Sequence, residues 1–254
     1  ARRASELADV VHRDMGKPHP DAMLEIAMAL EHLAWASKNA RKVLGRRSVR
    51  SSLLTVNQAA SVEYRPLGVI GVIGPWNYPV FTPLGSLSFS LAAGNAVVYK
   101  PSEFAPAVGQ WLGRAFAEVV PEHPVLQVVT GDGSVGAALC LAGVDKIGFT
   151  GSTATGRRFL QYAGESNLKE VTLEMGGKNP AVVLDDAENL DRVAAHIVNG
   201  AFWNMGENCS ASSRLIVQKG VKDALLERIY AHAREWPMGD PLDPVNRVGA
   251  LVSK

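Results

Sequence analysis

Two side chains in this chain have the chemistry of a reaction centre. Glu174 lies in Thr172-Leu173-Glu174-Met175-Gly176-Gly177-Lys178, where a strand should end among glycines. Cys209 lies in Gly206-Glu207-Asn208-Cys209-Ser210, a small polar loop. A thiol and a carboxylate in one cleft supply a nucleophile and a general base. Ser210-Ala211-Ser212 follows the cysteine, so the loop is uncovered and a thiolate can form there. A buried structural cysteine is the competing reading. Cys140, in Ala137-Ala138-Leu139-Cys140-Leu141, reads instead as a packed core thiol. No histidine neighbours Cys209 in sequence, which argues against a Cys–His protease or transferase. His12, His19, His32, His123, His196 and His232 show no metal-ligand spacing, so no metal is expected.

Three further features suit a nucleotide cleft. Asn77, in Pro75-Trp76-Asn77-Tyr78-Pro79, carries an amide that can stabilise an oxyanion if it faces a cleft. Taken alone, a plain turn residue is the stronger reading. Lys100 and Glu103 stand just after a predicted strand. A carboxylate there can accept hydrogen bonds from both ribose hydroxyls and would repel a 2′-phosphate, which favours NAD over NADP. A surface lysine and a helix-start glutamate are the alternative. Gly151-x-x-x-x-Gly156 is not the common dinucleotide fingerprint, and a structural turn accounts for it too. Between a strand and a helix, however, it would offer a phosphate the amides and positive dipole end of a helix N-terminus.

The elements that must position these residues follow from periodicity. Residues 4–15 and 20–44 have helical spacing, with Met23, Ile26, Ala27, Leu30, Leu33 and Ala34 forming one apolar face. The basic run 41–50 reads as a solvated helix end and loop. Residues 53–65 are expected to be extended. Strands are expected at 67–73, 96–100, 125–129 and 146–150, each followed by a turn and a helix, which indicates a parallel sheet covered on both faces. The loops 74–79, 100–103, 131–136 and 151–156 then share the carboxyl end of the sheet, where ligands of such folds bind. After Glu170 the pattern changes. Strands are expected at 171–174, 180–184 and 215–218, and helices at 190–205 and 221–236, which puts a domain boundary near 170–178.

Composition sets the limits. A chain of 254 residues with 47% hydrophobic and 20% charged residues can bury a sizeable core as one or two domains. A net charge of +1 gives no electrostatic case for nucleic acid or an anionic membrane. No apolar run approaches the roughly 20 residues that cross a bilayer. Two cysteines are too few for a disulfide framework, so a reducing cytoplasm is the default. The abrupt ends, with no initiator methionine, suggest an internal piece of a longer chain.

Taken together, Pro75-Trp76-Asn77-Tyr78-Pro79, Lys100-Pro101-Ser102-Glu103, Phe149-Thr150-Gly151-Ser152-Thr153 with Gly156, Leu173-Glu174-Met175-Gly176-Gly177-Lys178 and Gly206-Glu207-Asn208-Cys209 resemble, in order and over essentially the whole chain, the NAD(P)-dependent aldehyde dehydrogenase superfamily. The resemblance implies an α/β fold: a parallel-sheet Rossmann-like cofactor-binding domain over 1–172, and the first part of an α/β catalytic domain over 173–254. It implies that Cys209 attacks the aldehyde, that Asn77 and the Cys209 amide hold the oxyanion, and that Glu174 activates the water that hydrolyses the thioester. NAD, with NADP left open, would lie along Ile73, Pro75, Trp76, Lys100, Ser102, Glu103, Gly133, Gly136, Phe149, Thr150, Gly151, Ser152, Thr155, Met175 and Gly176. A small-molecule aldehyde as substrate and a homodimer or homotetramer of the full-length parent are implied as well.

Departures from the family pattern are few. Glu207 stands where a glutamine is frequent, and Met175 where a leucine is. Thr82 and Gly85 replace bulkier substrate-tunnel residues, which suggests a roomier tunnel. Phe202 and Trp203 suit either the tunnel or the core. Family members are substantially longer, so the chain is expected to lack part of the catalytic domain, and the fragment by itself is expected to be inactive. Two rivals stay open: a CoA-acylating dehydrogenase, which would not need Glu174, and a non-catalytic or truncated cofactor-binding relative.

Overall fold

A computed structural model describes residues 2–253. Two helices lead the chain, α1 (Ala4–Met15) and α2 (His19–Leu44). Gly16 ends α1 with a φ of 69°, a left-handed conformation in which glycine carries no Cβ penalty. Pro20 opens α2, where its missing N–H costs nothing. The basic stretch does more than close a helix. After α2 it forms β1 (Arg47–Val49), which pairs antiparallel with β2 (Ala60–Val62). The extended conformation expected over 53–65 holds only at β2, since Leu53–Thr55 form a 3-10 turn.

The organising sheet contains β3 (Val69–Ile73), β4 (Ala96–Lys100), β5 (Leu126–Val128), β6 (Lys146–Gly151) and β7 (Glu170–Met175). All its pairings are parallel, and the spatial order is β5-β4-β3-β6-β7. The connecting helices are α3 (Phe81–Ala92), α4 (Pro106–Val119), α5 (Gly133–Leu141) and α6 (Thr153–Glu165). Alternation along the strands sends Ile70, Val72, Val97 and Tyr99 into one core with α1–α4. Ile73, Ile147 and Phe149 enter the other core with α5 and α6. Each such large side chain contributes roughly 1.5–3 kcal/mol by leaving water. Gly71 is required by close packing, because a Cβ there would lie 2.5 Å from the Ile147 side chain. The chain runs outward from β3 through β4 and β5, then returns to β6 and runs the other way to β7. The switch between β3 and β6 opens a crevice at the carboxyl ends of the strands.

Beyond the sheet come β8 (Pro180–Val183), α7 (Leu190–Phe202), β9 (Arg214–Val217) and α8 (Lys219–Ala233). Strands β8 and β9 pair parallel over a small core of Val183, Ala194 and Leu225. The division expected between residues 172 and 173 falls inside β7, which stays paired with β6 through Met175. The helix expected over 190–205 is shorter. It ends at Phe202 because Asn204, Met205 and Gly206 adopt left-handed φ values of 51°, 60° and 74°. The last helix likewise ends at Ala233. Among the described residues no helix is long and apolar enough to cross a membrane.

Candidate active site

The Cys209 loop is built by the turn that stops α7. Left-handed conformation in a non-glycine residue costs about 1–2 kcal/mol. The Asn204 side chain is buried; its Nδ2 donates to the Asn77 carbonyl at 3.3 Å, while its Oδ1 has no partner among the described residues. Asn208 donates to the Trp203 carbonyl at 3.0 Å and accepts from the Tyr78 hydroxyl. Asn179, after β7, donates to the carbonyls of Cys209 at 2.9 Å and Ala211 at 3.3 Å. Cys209 is thus held from both sides while its own side chain stays exposed. Cys140 is buried in the core, as its apolar surroundings in sequence suggest, and burial pushes its thiol pKa up.

Asn77 meets this loop from the carboxyl end of β3. Its Nδ2 donates to the Glu207 carbonyl at 2.6 Å, two residues before Cys209. Its own carbonyl accepts from Lys17 Nζ at 2.8 Å. Tyr78 is packed beside it, and burial raises its hydroxyl pKa to about 12, so it acts as a neutral donor at physiological pH. Among the described residues, the Cys209 N–H donates to no protein acceptor.

Glu174 lies at the end of β7, in register with Thr150 of β6, and its neighbour Met175 pairs with Gly151. Its carboxylate is exposed and, among the described residues, makes no hydrogen bond or ion pair. It shares the carboxyl end of the sheet with Asn77 and, among the described residues, hydrogen-bonds to neither Asn77 nor Cys209. Glu207 is the less expected carboxylate. Its Oε1 accepts from the Val252 amide at 3.3 Å, while Oε2 is buried without a partner. Burial raises its pKa above the ordinary 4.5.

The nucleotide residues surround the switch point. Lys100 ends β4 with a buried ammonium that donates to the Pro101 carbonyl at 3.0 Å and lies 3.8 Å from the Glu103 carboxylate. Desolvation lowers its pKa. Glu103 is half exposed at the rim. Asp132 caps α5 by accepting from the Ser134 amide at 2.9 Å, and Ser152 caps α6 by accepting from the Thr155 amide at 3.2 Å. Both helix N-termini thus point at the crevice. The space where a Cβ at Gly133 would go is empty, and one at Gly136 would touch Phe159 and the Lys100 stem. Gly156 lets α6 pack closely on β7: a Cβ there would lie 2.8 Å from Met175 Sδ, so that side chain would have to shift. A carboxylate and an ammonium suited to a diol, two amide-rich helix ends and an open glycine floor fit a dinucleotide. Ile73, Pro75, Trp76, Ser102, Phe149 and Gly176 belong to the strand ends and loops around this crevice.

The tunnel expectation meets a side chain from another element. The space beside Gly85 is taken by the His32 ring, 3.6 Å from where a Cβ would sit. Phe202 is partly exposed and packs edge-on against Trp236 at 6.2 Å. Among the described residues no cluster of three His, Cys, Asp or Glu could hold a metal. Sequence reasoning missed Lys17, Glu25, Asn179 and Asn204. None carries a motif signal, because each acts through backbone groups distant in sequence.

The aldehyde dehydrogenase family model matches residues 1–254. The chain belongs to the aldehyde dehydrogenase family. It is 48% identical over 253 residues to aminoacetaldehyde dehydrogenase of Pseudomonas aeruginosa, covering 98% of this chain and 50% of that protein. Gamma-glutamyl-gamma-aminobutyraldehyde dehydrogenase from Burkholderia cenocepacia superposes with a TM-score of 0.94 at 38% identity, over 100% of this chain and 51% of that one. An indole-3-acetaldehyde dehydrogenase of P. syringae, solved in complex with NAD+, gives 0.93 at 37% identity over 99% of this chain and 50% of that one. The expected family and fold class are therefore correct. The chain spans about half the length of the curated relatives it matches.

Proposed function

We propose that the full-length protein carrying this chain oxidises an aldehyde to a carboxylic acid with NAD. The Cys209 thiolate attacks the carbonyl carbon, giving a thiohemiacetal whose oxyanion is held by the Asn77 amide and the Cys209 backbone N–H. NAD, when bound in the crevice, would supply the two-electron oxidant by accepting a hydride, which leaves Cys209 acylated as a thioester. Glu174 then takes a proton from the water that attacks the thioester, releasing the acid and restoring the thiol. Cys209 and Glu174 act in succession on this account, which needs no hydrogen bond between them. Lys100 and Glu103 hold the adenosine ribose, with Ser152 and the start of α6 facing the pyrophosphate. The negative charge of Glu103 favours NAD over NADP.

The observation that carries this reading is the 2.6 Å bond from Asn77 to the Cys209 loop, which joins an oxyanion donor on one element to the nucleophile on another. Division into a cofactor-binding part over 1–172 and the start of a catalytic part over 173–254 belongs to the same proposal. So do a homodimeric or homotetrameric parent and a reducing cytoplasm, which suits the two free cysteines. The test is an aldehyde panel with NAD and with NADP on the full-length protein. NADH and free acid should form in equal amounts without CoA. A requirement for CoA would replace hydrolysis by acyl transfer, and no turnover of any aldehyde would contradict the proposal.

A further inference from the structure

A buried ion pair lies beneath the Asn77 turn. Lys17 sits between α1 and α2, and Glu25 lies on the first turns of α2. Both side chains are fully buried, and Lys17 Nζ meets Glu25 Oε2 at 2.5 Å. The other two ammonium donors are also used. One reaches the Asn77 carbonyl at 2.8 Å, and the ammonium stands over the Tyr78 ring, 4.4 Å from its centroid. The second carboxylate oxygen, Oε1, accepts from the amides of Val80 at 2.7 Å and Phe81 at 3.0 Å. These amides open α3, where the helix dipole favours a negative charge. The Lys17 carbonyl is itself bonded to His12 Nδ1 at 2.9 Å, which ties the pair to α1. Outside the pair, the ammonium and the carboxylate meet only residues 77–81, including the ring of Tyr78.

A buried ion pair is a poor way to stabilise a core, because desolvation offsets most of the Coulomb attraction and apolar residues of similar volume serve as well. What this pair does that apolar residues could not is bind backbone. It grips the carbonyl at the start of the turn and the amides at its end. The same turn presents Asn77 to the Glu207 carbonyl and the Tyr78 hydroxyl to Asn208, the two residues that precede Cys209. We propose that Lys17 and Glu25 are positioning residues that hold the Asn77 amide at the oxyanion site of Cys209. The inference rests on the reading of Asn77 as an oxyanion donor.

The test is a mutant cycle in the full-length protein, with propanal and NAD as probes. Lys17→Met, Glu25→Gln and the double replacement are each made in the native and the Asn77→Ala background. The readouts are single-turnover NADH formation and NAD affinity by fluorescence. Lys17→Met should slow the first turnover roughly 10- to 100-fold, the scale expected from misplacing a reacting group, with NAD affinity unchanged. In the Asn77→Ala background it should cause little further loss. Equal fold-losses in both backgrounds, or no loss in the native one, would overturn the proposal. The double replacement leaves no unpaired buried charge, so it covers the case in which a single variant fails to fold. If neither yields protein that binds NAD, the pair serves folding alone and the proposal is wrong. The two readings fail separately: a fully active Asn77→Ala removes the oxyanion assignment, whereas a slow Asn77→Ala with a native-rate Lys17→Met removes only the positioning role.

Discussion

The side-chain amide of Asn77 donates to the carbonyl of Glu207 at 2.6 Å, joining the end of β3 to the loop that carries Cys209. One of its two N–H groups is committed to the loop, and the other is left to meet an oxyanion. Asn77→Ala should lower the rate of the first turnover by about 10²–10³, the usual loss for one oxyanion donor. Stopped-flow NADH formation measures it. A loss confined to KM would show that Asn77 binds substrate without stabilising the adduct.

Glu207 gives a pH signature. Burial is the main cause of its raised pKa, so the folded state disfavours its carboxylate. For an acid whose pKa is higher folded than unfolded, the stabilising contribution is complete below the unfolded value. It is lost as pH rises through the folded value. Glu207→Gln removes this titration. The Tm of the variant relative to the native protein should therefore rise as pH increases from about 4.5 upward. Thermal melts across a pH series check this, and a difference that stays constant with pH would contradict it.

Asn179 anchors the nucleophile loop through two carbonyls, those of Cys209 and Ala211. Each bond is worth about 1 kcal/mol at most in an exposed setting. Asn179→Ala should lower Tm by roughly 2–4 °C and reduce kcat several-fold while leaving NAD affinity intact. Calorimetry and steady-state kinetics check it. Unchanged kcat would mean that the Asn204–Gly206 turn orients Cys209 unaided.

How much of this was legible in the sequence depends on the range of the interaction. The β3 to β7 alternation follows from local periodicity, and the strands begin within a residue or two of expectation. The break at Phe202 was not legible: residues 190–205 keep helical spacing, and only tertiary bonds such as Asn204 to Asn77 sustain the left-handed turn that ends the helix. Cys209, Glu174 and Asn77 stand out because they sit in distinctive polar or glycine-rich segments. Lys17 and Glu25 do not, since Gly16-Lys17-Pro18 and one glutamate in a long amphipathic helix look like surface. Their burial is visible only once α2 is laid against α3. Gly156 is the intermediate case. Its placement after β6 suggests a phosphate turn, whereas the close contact the fold makes there is with Met175.

The central claim is a covalent thioester on Cys209 that Glu174 helps to hydrolyse. It is tested most directly by intact and peptide mass spectrometry of full-length Glu174→Gln after incubation with NAD and propanal. One equivalent of NADH should form in a burst, and the peptide containing Cys209 should carry a propionyl group. A burst with no acyl group on Cys209, or steady turnover at the native rate, would contradict the account.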